Sequence, residues 1–524
     1  MPQTSPMEQL DIPEISLFDF IFGDLAEEDK DLLAIADSVS QLTYGELKQA
    51  VELYAGALAA RGITKGDVVA LQCPNSTAFA VAFHGILRTG ATVTTVPALS
   101  TAEDIERQLK ISGAKMLLTT ASVGWAGAVA AGRAGLDTQA VLGVTGLSGI
   151  EALIAEGHQP PAVEITPDDL AVIPFSSGTT GVPKGVMLTH GNLVANCYQV
   201  SNGLRDDLPR GTRIVTVLPF FHIYGMTVLL NSSLRNRTTQ YTFGKFSLPE
   251  FLGVIETKKV EFAYIAPPIA VALAKHPIVD QFDLSSLRKC MSGAAALQLE
   301  LAQALETRLD CEIAQGYGMT ETSPVTHVRL GQEAPLDSIG LAVSNTSYKL
   351  VDVDTESLDE IEVPTEGRSK PGELWVRGPQ VMKGYLNNQE ATDSTLVDGW
   401  LRTGDLAVMD TDANVFIVDR FKELIKYKGY QVPPAEIEDV LLQHPSVADA
   451  GCVGVIREHD GEEIPKAFVV LKPGVEPCEE LEDDIKNFVE DRVAPYKKVR
   501  VVEFIEEIPK SATGKILRRK LKEI

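Results

Sequence analysis

Two hydrophobic periods alternate along the chain. In TYGELKQAVELYAGALAARG (43–62), Leu47, Val51, Tyr54 and Leu58 recur at helical spacing, and Thr43 with Glu46 fits a capping box ahead of them. Gly62 suits the stop. DVVALQC follows as a buried strand. NSTAFAVAFHGILRTG reads as a second helix capped by Asn75, and ATVTTV as a second strand. STAEDIERQLKISG and KMLLTT repeat the unit, and the pattern recurs in RIVTVL, FLGVIETKKVEFAYIAPP and LRKCMSG. Helices alternating with strands predict an α/β domain with parallel sheets. ISLFDFIF is apolar but too short to span a membrane, so it is expected to pin the N-terminal arm to the body.

The character changes near 419–430. VFIVDRFKELIKYKGYQVPP holds four basic residues and ends in glycine and prolines. Beyond it the pattern predicts a short helix from Ala435, strands ADAGCVGVI and KAFVVL, an acidic helix CEELEDDIKNFVEDRV and a strand VRVVEFI. That is a second, compact α+β domain. The run EELEDD reads as a solvated helix face.

At 524 residues the chain is too long for one ordinary core. Its 47 basic against 72 acidic side chains leave a charge of −25. This argues against general nucleic-acid affinity and adhesion to an anionic membrane. Six cysteines lie far apart without a C-x-x-C, as in a reduced cytoplasmic protein. The polar start, MPQTSPMEQLDIPE, does not read as a signal peptide, and KLKEI carries no peroxisomal address.

Candidate chemistry concentrates in a few stretches. PFSSGTTGVPKGVMLTH (174–190) packs glycines with Ser176, Ser177, Thr179, Thr180 and Lys184, the ingredients of a phosphate cradle, although it is not a Walker A loop. A flexible surface turn has the same composition. In AQGYGMTETSPV (314–325), Tyr317 between Gly316 and Gly318 can lie flat against a base, and Glu321 can hold Mg²⁺; a strand-ending loop with a packed tyrosine is the competing reading. Asp405 in GWLRTGDLAVMD can accept from both hydroxyls of a ribose, or simply end a turn. His222 and Tyr224 in PFFHIYG can be core residues or line a site. Lys515 sits on the Ser/Thr/Gly loop of SATGKILRRK.

Taken together and in this order, SSGTTGVPKGVMLTH, LPFFHIYG, QGYGMTE, GELWVRGPQVMKGYLN, GWLRTGD, VDRFKELIKYKGYQVPPAEIE and PKSATGKILRRKL resemble the acyl- and aryl-CoA synthetases of the adenylate-forming superfamily. Firefly luciferases and peptide-synthetase adenylation domains also belong to it. FHIYG and KELIKYKGYQV look closest to the 4-coumarate–CoA ligase branch. The resemblance implies a large N-terminal domain of layered α/β subdomains with a small β-barrel-like part (1–419) and a small mobile α+β lid (420–524). It also implies ATP, Mg²⁺ and coenzyme A as co-substrates of a carboxylic acid, in a cytoplasmic protein without membrane insertion, monomeric or homodimeric.

By matching motif, Ser176, Ser177, Gly178, Thr179, Thr180 and Lys184 would hold the phosphates. Gln315, Gly316, Tyr317 and Thr320 would border the adenylate, with Glu321 on the metal. Asp405 and Arg420 would take the ribose, with Lys426 near the nucleotide. Lys422 would be the hinge, and Lys515 the lysine bridging carboxylate and α-phosphate. His222, Tyr224, Ala295, Gly316, Pro324 and Val325 would line the acyl slot. Lys245, Lys428 and Gly429 would meet CoA once the lid has turned.

Some positions depart from plant relatives: Ala294 and Ala296 stand where Gly and Pro are usual, Thr322 and Ser323 for Ala and Gly, Val228 for a small hydroxyl residue and Gly244 for a proline. The expected activity is an ATP-dependent carboxylate–CoA ligase for an aryl-propenoic acid. The alternatives are a medium-chain fatty acyl-CoA synthetase, a loading enzyme for a carrier protein, a luciferase-like oxygenase and a non-enzymatic adenylate-binding protein.

Overall fold

The structure is a computed structural model. It describes the chain apart from residues 1, 121, 137–140, 143–146, 177–182, 296, 298, 330–333, 354–357, 421–422, 428–429, 458–462, 494 and 512–513, and apart from the side chains of 141, 142, 147, 148, 426, 430, 431 and 496. The expected elements are present. Helix Tyr44–Ala60 begins with the full capping box of Thr43 and Glu46 and buries Leu47, Val51, Tyr54 and Leu58. Helix Leu17–Phe22 buries five of its six residues. Asp24, just beyond it, pairs with Arg235 at 2.6 Å and Arg237 at 2.9 Å, which fastens the N-terminal arm to the body.

Among the described residues, the strands build sheets of nine, eight and seven strands, and smaller ones of three and two. The nine-stranded sheet runs parallel through Leu33–Ala36, Thr239–Thr242, Arg213–Thr216, Phe262–Ile265, Lys289–Ser292 and Glu312–Gly318. Its two edges are antiparallel, because Gln41–Thr43 and Val325–Arg329 return after connections too short to hold a crossover helix. The eight-stranded sheet has a parallel centre of Leu170–Val172, Thr92–Thr95, Val68–Gln72 and Met116–Thr119. Helices Tyr44–Ala60 and Thr77–Arg88 share one core with both sheets, a cluster that holds Tyr44, Phe79 and Phe83 together with Val215 and Phe262 of one sheet and Val69 and Val93 of the other. The part expected to be barrel-like is an open, antiparallel seven-stranded sheet that includes Ser347–Val351, Gly372–Arg377, Trp400–Met409 and Val415–Arg420.

The first core reaches as far as Val415. A second gathers Ile425, Ile437, Leu441, Val469, Ile485 and Val502, around strands Val447–Ile456, Glu463–Leu471 and Val501–Phe504. Five of the six cysteines are buried, and Cys478, at the start of helix Glu479–Glu490, is exposed. No described helix is long and apolar enough to cross a membrane.

One reading of the sequence is corrected. Helix Thr77–Arg88 is capped by Ser76, whose hydroxyl accepts from Phe79 N at 3.2 Å, and not by Asn75. The Asn75 amide is instead spent on a distant loop: Nδ2 donates to Leu218 O at 2.8 Å and Oδ1 accepts from Phe220 N at 2.7 Å. Thr95 Oγ1 grips the same loop at Phe221 O, 2.7 Å away. The loop carrying His222 is thus held from the ends of two elements of the other sheet. Replacing Asn75 by Ala leaves a buried carbonyl and a buried N–H without partners, an expected loss of about 2–4 kcal/mol. Urea unfolding followed by tryptophan fluorescence checks this; an unchanged midpoint refutes the clamp.

Candidate active site

The parallel strands end in loops that converge on one region, the usual place for a ligand in an open α/β sheet. Strand Glu312–Gly318 turns back tightly there. A Cβ on Gly318 would lie 1.8 Å from Pro324 O, so only glycine fits. Tyr317 pairs across the hairpin with His327, their rings 6.1 Å apart and edge-on. The Tyr317 hydroxyl donates to Asp405 Oδ2 at 2.5 Å. Asp405 stands opposite Arg420 in the neighbouring strand, whose Nε reaches Asp405 Oδ1 at 3.2 Å. Burial pushes the Asp405 carboxyl up, against the pull of Arg420 and Tyr317. Gln315 is committed to the wall: its Oε1 accepts from Leu297 N and its Nε2 donates to Leu336 O.

On the next side, Phe175–Ser176 and Lys184–Thr189 pair antiparallel, with Lys184 opposite Ser176. Ser177, Gly178, Thr179 and Thr180, between them, lie outside the described residues. Ser176 Oγ donates to Glu321 Oε1 at 3.2 Å, and Tyr385 OH donates to the same oxygen at 2.8 Å. Lys184 Nζ sits 4.9 Å above the Tyr385 ring. Tyr385 therefore links the lysine to the carboxylate, a role no local pattern announced beyond its place in the GYLN stretch. Among the described residues both bonds fall on Oε1, which leaves Oε2 of the buried Glu321 for one contact to a hard cation. No described group of three or more His, Cys, Asp or Glu could hold a metal by itself. This donor set suits Mg²⁺ carried on a polyphosphate and held by one protein carboxylate.

The third wall is helical and unusual. Tyr224–Ser232 is a nine-residue π-helix. Its wider turn suits the hydroxyls of Ser232 and Ser233, which donate to the carbonyls of Thr227 and Val228 five residues back. Tyr224 lies flat on Gly293, where a Cβ would come within 2.8 Å of its ring, and its hydroxyl donates to Met291 O at 3.3 Å. His222 Nδ1 accepts from Tyr224 N at 3.3 Å, and burial pulls this imidazole down to about 4. The ring is neutral at pH 7 with its proton on Nε2. A cavity of about 240 Å³ lies beside it, lined by Thr95, Arg107, Gln108, Phe175, His222 and Thr320 among others. Val325 is fixed from behind by Asn196, whose amide accepts from Val325 N at 3.0 Å and donates to Val325 O at 2.8 Å. Nothing in the sequence singled out Asn196 or the π-helix. Ala294, beside the half-buried Ala295, has φ +71°, a conformation that glycine adopts without cost.

Lys515 reaches this region from the second body. Its loop closes through Lys515 N to Ser511 Oγ at 3.1 Å. Gly514, at φ +84°, lies so close to Pro268 of the first body that a Cβ would stand 2.4 Å from the ring. Burial, with Arg420 beside it, pulls the Lys515 ammonium down to about 8, while Glu423 and Asp405 hold it up. Lys245 is exposed in the loop after Thr239–Thr242 and takes no part in this cluster. Lys426 lies on strand Ile425–Tyr427 with its side chain outside the described set; Lys422, Lys428, Gly429 and Ala296 lie outside it altogether.

Residues 22–386 match the AMP-binding enzyme family, and residues 436–515 match the AMP-binding enzyme C-terminal domain. The chain is 40% identical to 4-coumarate–CoA ligase 2 of Oryza sativa subsp. japonica, over 99% of this chain and 94% of that one. It superposes with a TM-score of 0.87 on an anthranilate CoA ligase in complex with anthranoyl-AMP, at 26% identity and over 99% and 98% of the two chains. ATP-bound MatB from Rhodopseudomonas palustris superposes with a TM-score of 0.86, at 27% identity and over 98% and 99%. The fold, the convergence of its loops and these likenesses agree, and the chain belongs to the family of AMP-binding, adenylate-forming enzymes.

Proposed function

We infer that the protein is an ATP-dependent, AMP-forming carboxylate–CoA ligase. The observation that carries this reading is the arrival of Lys515, from the second body, beside the Asp405–Arg420 pair, whose carboxylate also takes the Tyr317 hydroxyl. In the first step a carboxylate oxygen attacks the α-phosphorus of ATP, and the bond from that phosphorus to the bridging oxygen breaks. Pyrophosphate leaves and an acyl-adenylate remains. Two anions must approach within bonding distance, and the Lys515 ammonium between them offsets the repulsion. Lys184 and the 176–180 loop would hold the leaving phosphates, and Glu321 the Mg²⁺ that accompanies them. Asp405 would accept from the ribose hydroxyls with Arg420 beside it. His222 would donate Nε2–H to the carboxylate. In the second step the CoA thiol attacks the acyl carbon, and AMP departs.

Tyr224, Ala295, Gly316, Pro324 and Val325 would line a narrow, largely apolar slot, suited to a flat aryl-propenoic acid. The rice relative, named for 4-coumarate, supports that choice. Residues 420–524 act as the lid, turning about Lys422 so that Lys428 and Gly429, with Lys245, meet CoA in the second step. The acidic charge and the reduced thiols support a cytoplasmic location.

With acid, ATP and Mg²⁺, the enzyme is expected to release AMP and pyrophosphate, and to make thioester only when CoA is added. Release of ADP and inorganic phosphate would sink the ligase assignment; fatty acids outperforming cinnamates in kcat/KM would sink the aryl one. Separating the steps, Lys515→Ala should suppress ATP–pyrophosphate exchange by orders of magnitude and spare thioester formation from synthetic acyl-adenylate. Gly429→Leu should do the reverse, and equal losses in both variants speak against a two-faced lid. The depressed Lys515 supplies a pH test. Its charged form in the free enzyme is full below pH about 8 and fades above it. Exchange kcat/KM should therefore fall about tenfold per pH unit on the alkaline side. In Lys515→Arg, which stays charged, whatever activity remains should lack that limb.

A further inference from the structure

The helix that opens the second body, Pro434–Leu442, begins without a cap of its own. Its N-cap residue is Pro433, which has no side-chain acceptor, and Pro434 has no N–H to offer. The first N–H that needs a partner is Ala435's. It donates to Asp419 Oδ2 at 3.0 Å. Asp419 belongs to the other body: it lies in strand Val415–Arg420, opposite Leu406, and its Oδ1 accepts from Arg420 N. The cap therefore crosses the junction.

What it fixes leads back to Lys515. One turn into the helix, Glu438 accepts from Cys452 N at 2.8 Å and pairs with Arg518 at 2.7 Å. Arg518 also binds Glu423 and donates to Cys452 O. Arg518 lies three residues beyond Lys515, so the helix, the paired strands and the Lys515 loop form one braced unit. That unit touches the first body at Gly514 on Pro268 as well.

We propose that Asp419 is a positioning residue for the first half-reaction: by capping the lid helix from the far side of the hinge, it favours the lid orientation that presents Lys515. The proposal rests on the ligase reading above. Pro433 and Pro434 offer no cap of their own, and among the described residues Asp419 is the side chain that caps this end, so any lid orientation that carries Ala435 away from Asp419 forfeits that bond. The carboxylate biases the lid without touching substrate.

The test uses the full chain, with Asp419→Ala and Asp419→Asn. Losing a cap is expected to shift the lid equilibrium roughly three- to thirtyfold. Asp419→Ala should lower ATP–pyrophosphate exchange by that factor, through kcat more than through KM for ATP. Thioester formation from synthetic acyl-adenylate should hold or quicken. Asp419→Asn keeps an oxygen for the Ala435 N–H and should recover most of the exchange; it also serves if the alanine variant folds poorly. A wild-type chain that exchanges no pyrophosphate overturns the ligase reading and this inference together. A working wild type whose Asp419 variants lose both steps by the same factor, or lose neither, overturns the Asp419 assignment alone.

Discussion

Asp405 and Arg420 face each other across the last two long strands of the antiparallel sheet, and the site is organised by what that pair demands. A carboxylate this buried needs a cation and donors, which it finds in Arg420 and Tyr317. Satisfying it holds the Tyr317 hydroxyl in place. The same pair, with burial and Glu423, shapes the environment of Lys515. Strand Val415–Arg420 runs straight into the junction, so Arg420, which pairs with Asp405, stands where the two bodies join. The strand that carries Arg420 and Asp419 is therefore shared by the Asp405 cluster and by the start of helix Pro434–Leu442.

Much of the architecture was legible because hydrophobic period encodes it directly. The capping box at Thr43, the buried stripe of helix Tyr44–Ala60 and the run of short apolar strands carried over with small shifts at their ends. The N-cap of helix Thr77–Arg88 was misassigned by one residue for a physical reason. Asn75 and Ser76 are both good caps by type, and only the fold shows that Asn75 is needed 143 positions away at Leu218. Local pattern cannot rank two candidate caps when a distant backbone competes for one of them.

The site was legible where chemistry is written in glycine and hydroxyl clusters, and illegible where it is written in support. Tyr317 and Arg420 meet on Asp405, and Lys515 and Glu321 lie near Arg420. Tyr385, Asn75, Asn196 and Asp419 do not advertise themselves, since a lone amide or carboxylate in an ordinary element has no spacing to read. The π-helix at Tyr224–Ser232 is hidden as well, because its pattern differs from an α-helix by a fraction of a residue per turn. Tyr385, Asn75 and Asn196 each work through a contact distant in sequence.

The cysteine distribution has a practical side. Five thiols are sealed in the two bodies, and the remaining one, Cys478, is exposed at the start of an acidic helix on the second body. A maleimide dye would enter the native chain at that single point, with no engineered mutation, and at a surface that no catalytic group occupies. Energy transfer to it from a fluorescent ATP analogue would report the distance between the second body and the nucleotide, so the natural chain carries its own attachment point for asking whether that distance changes.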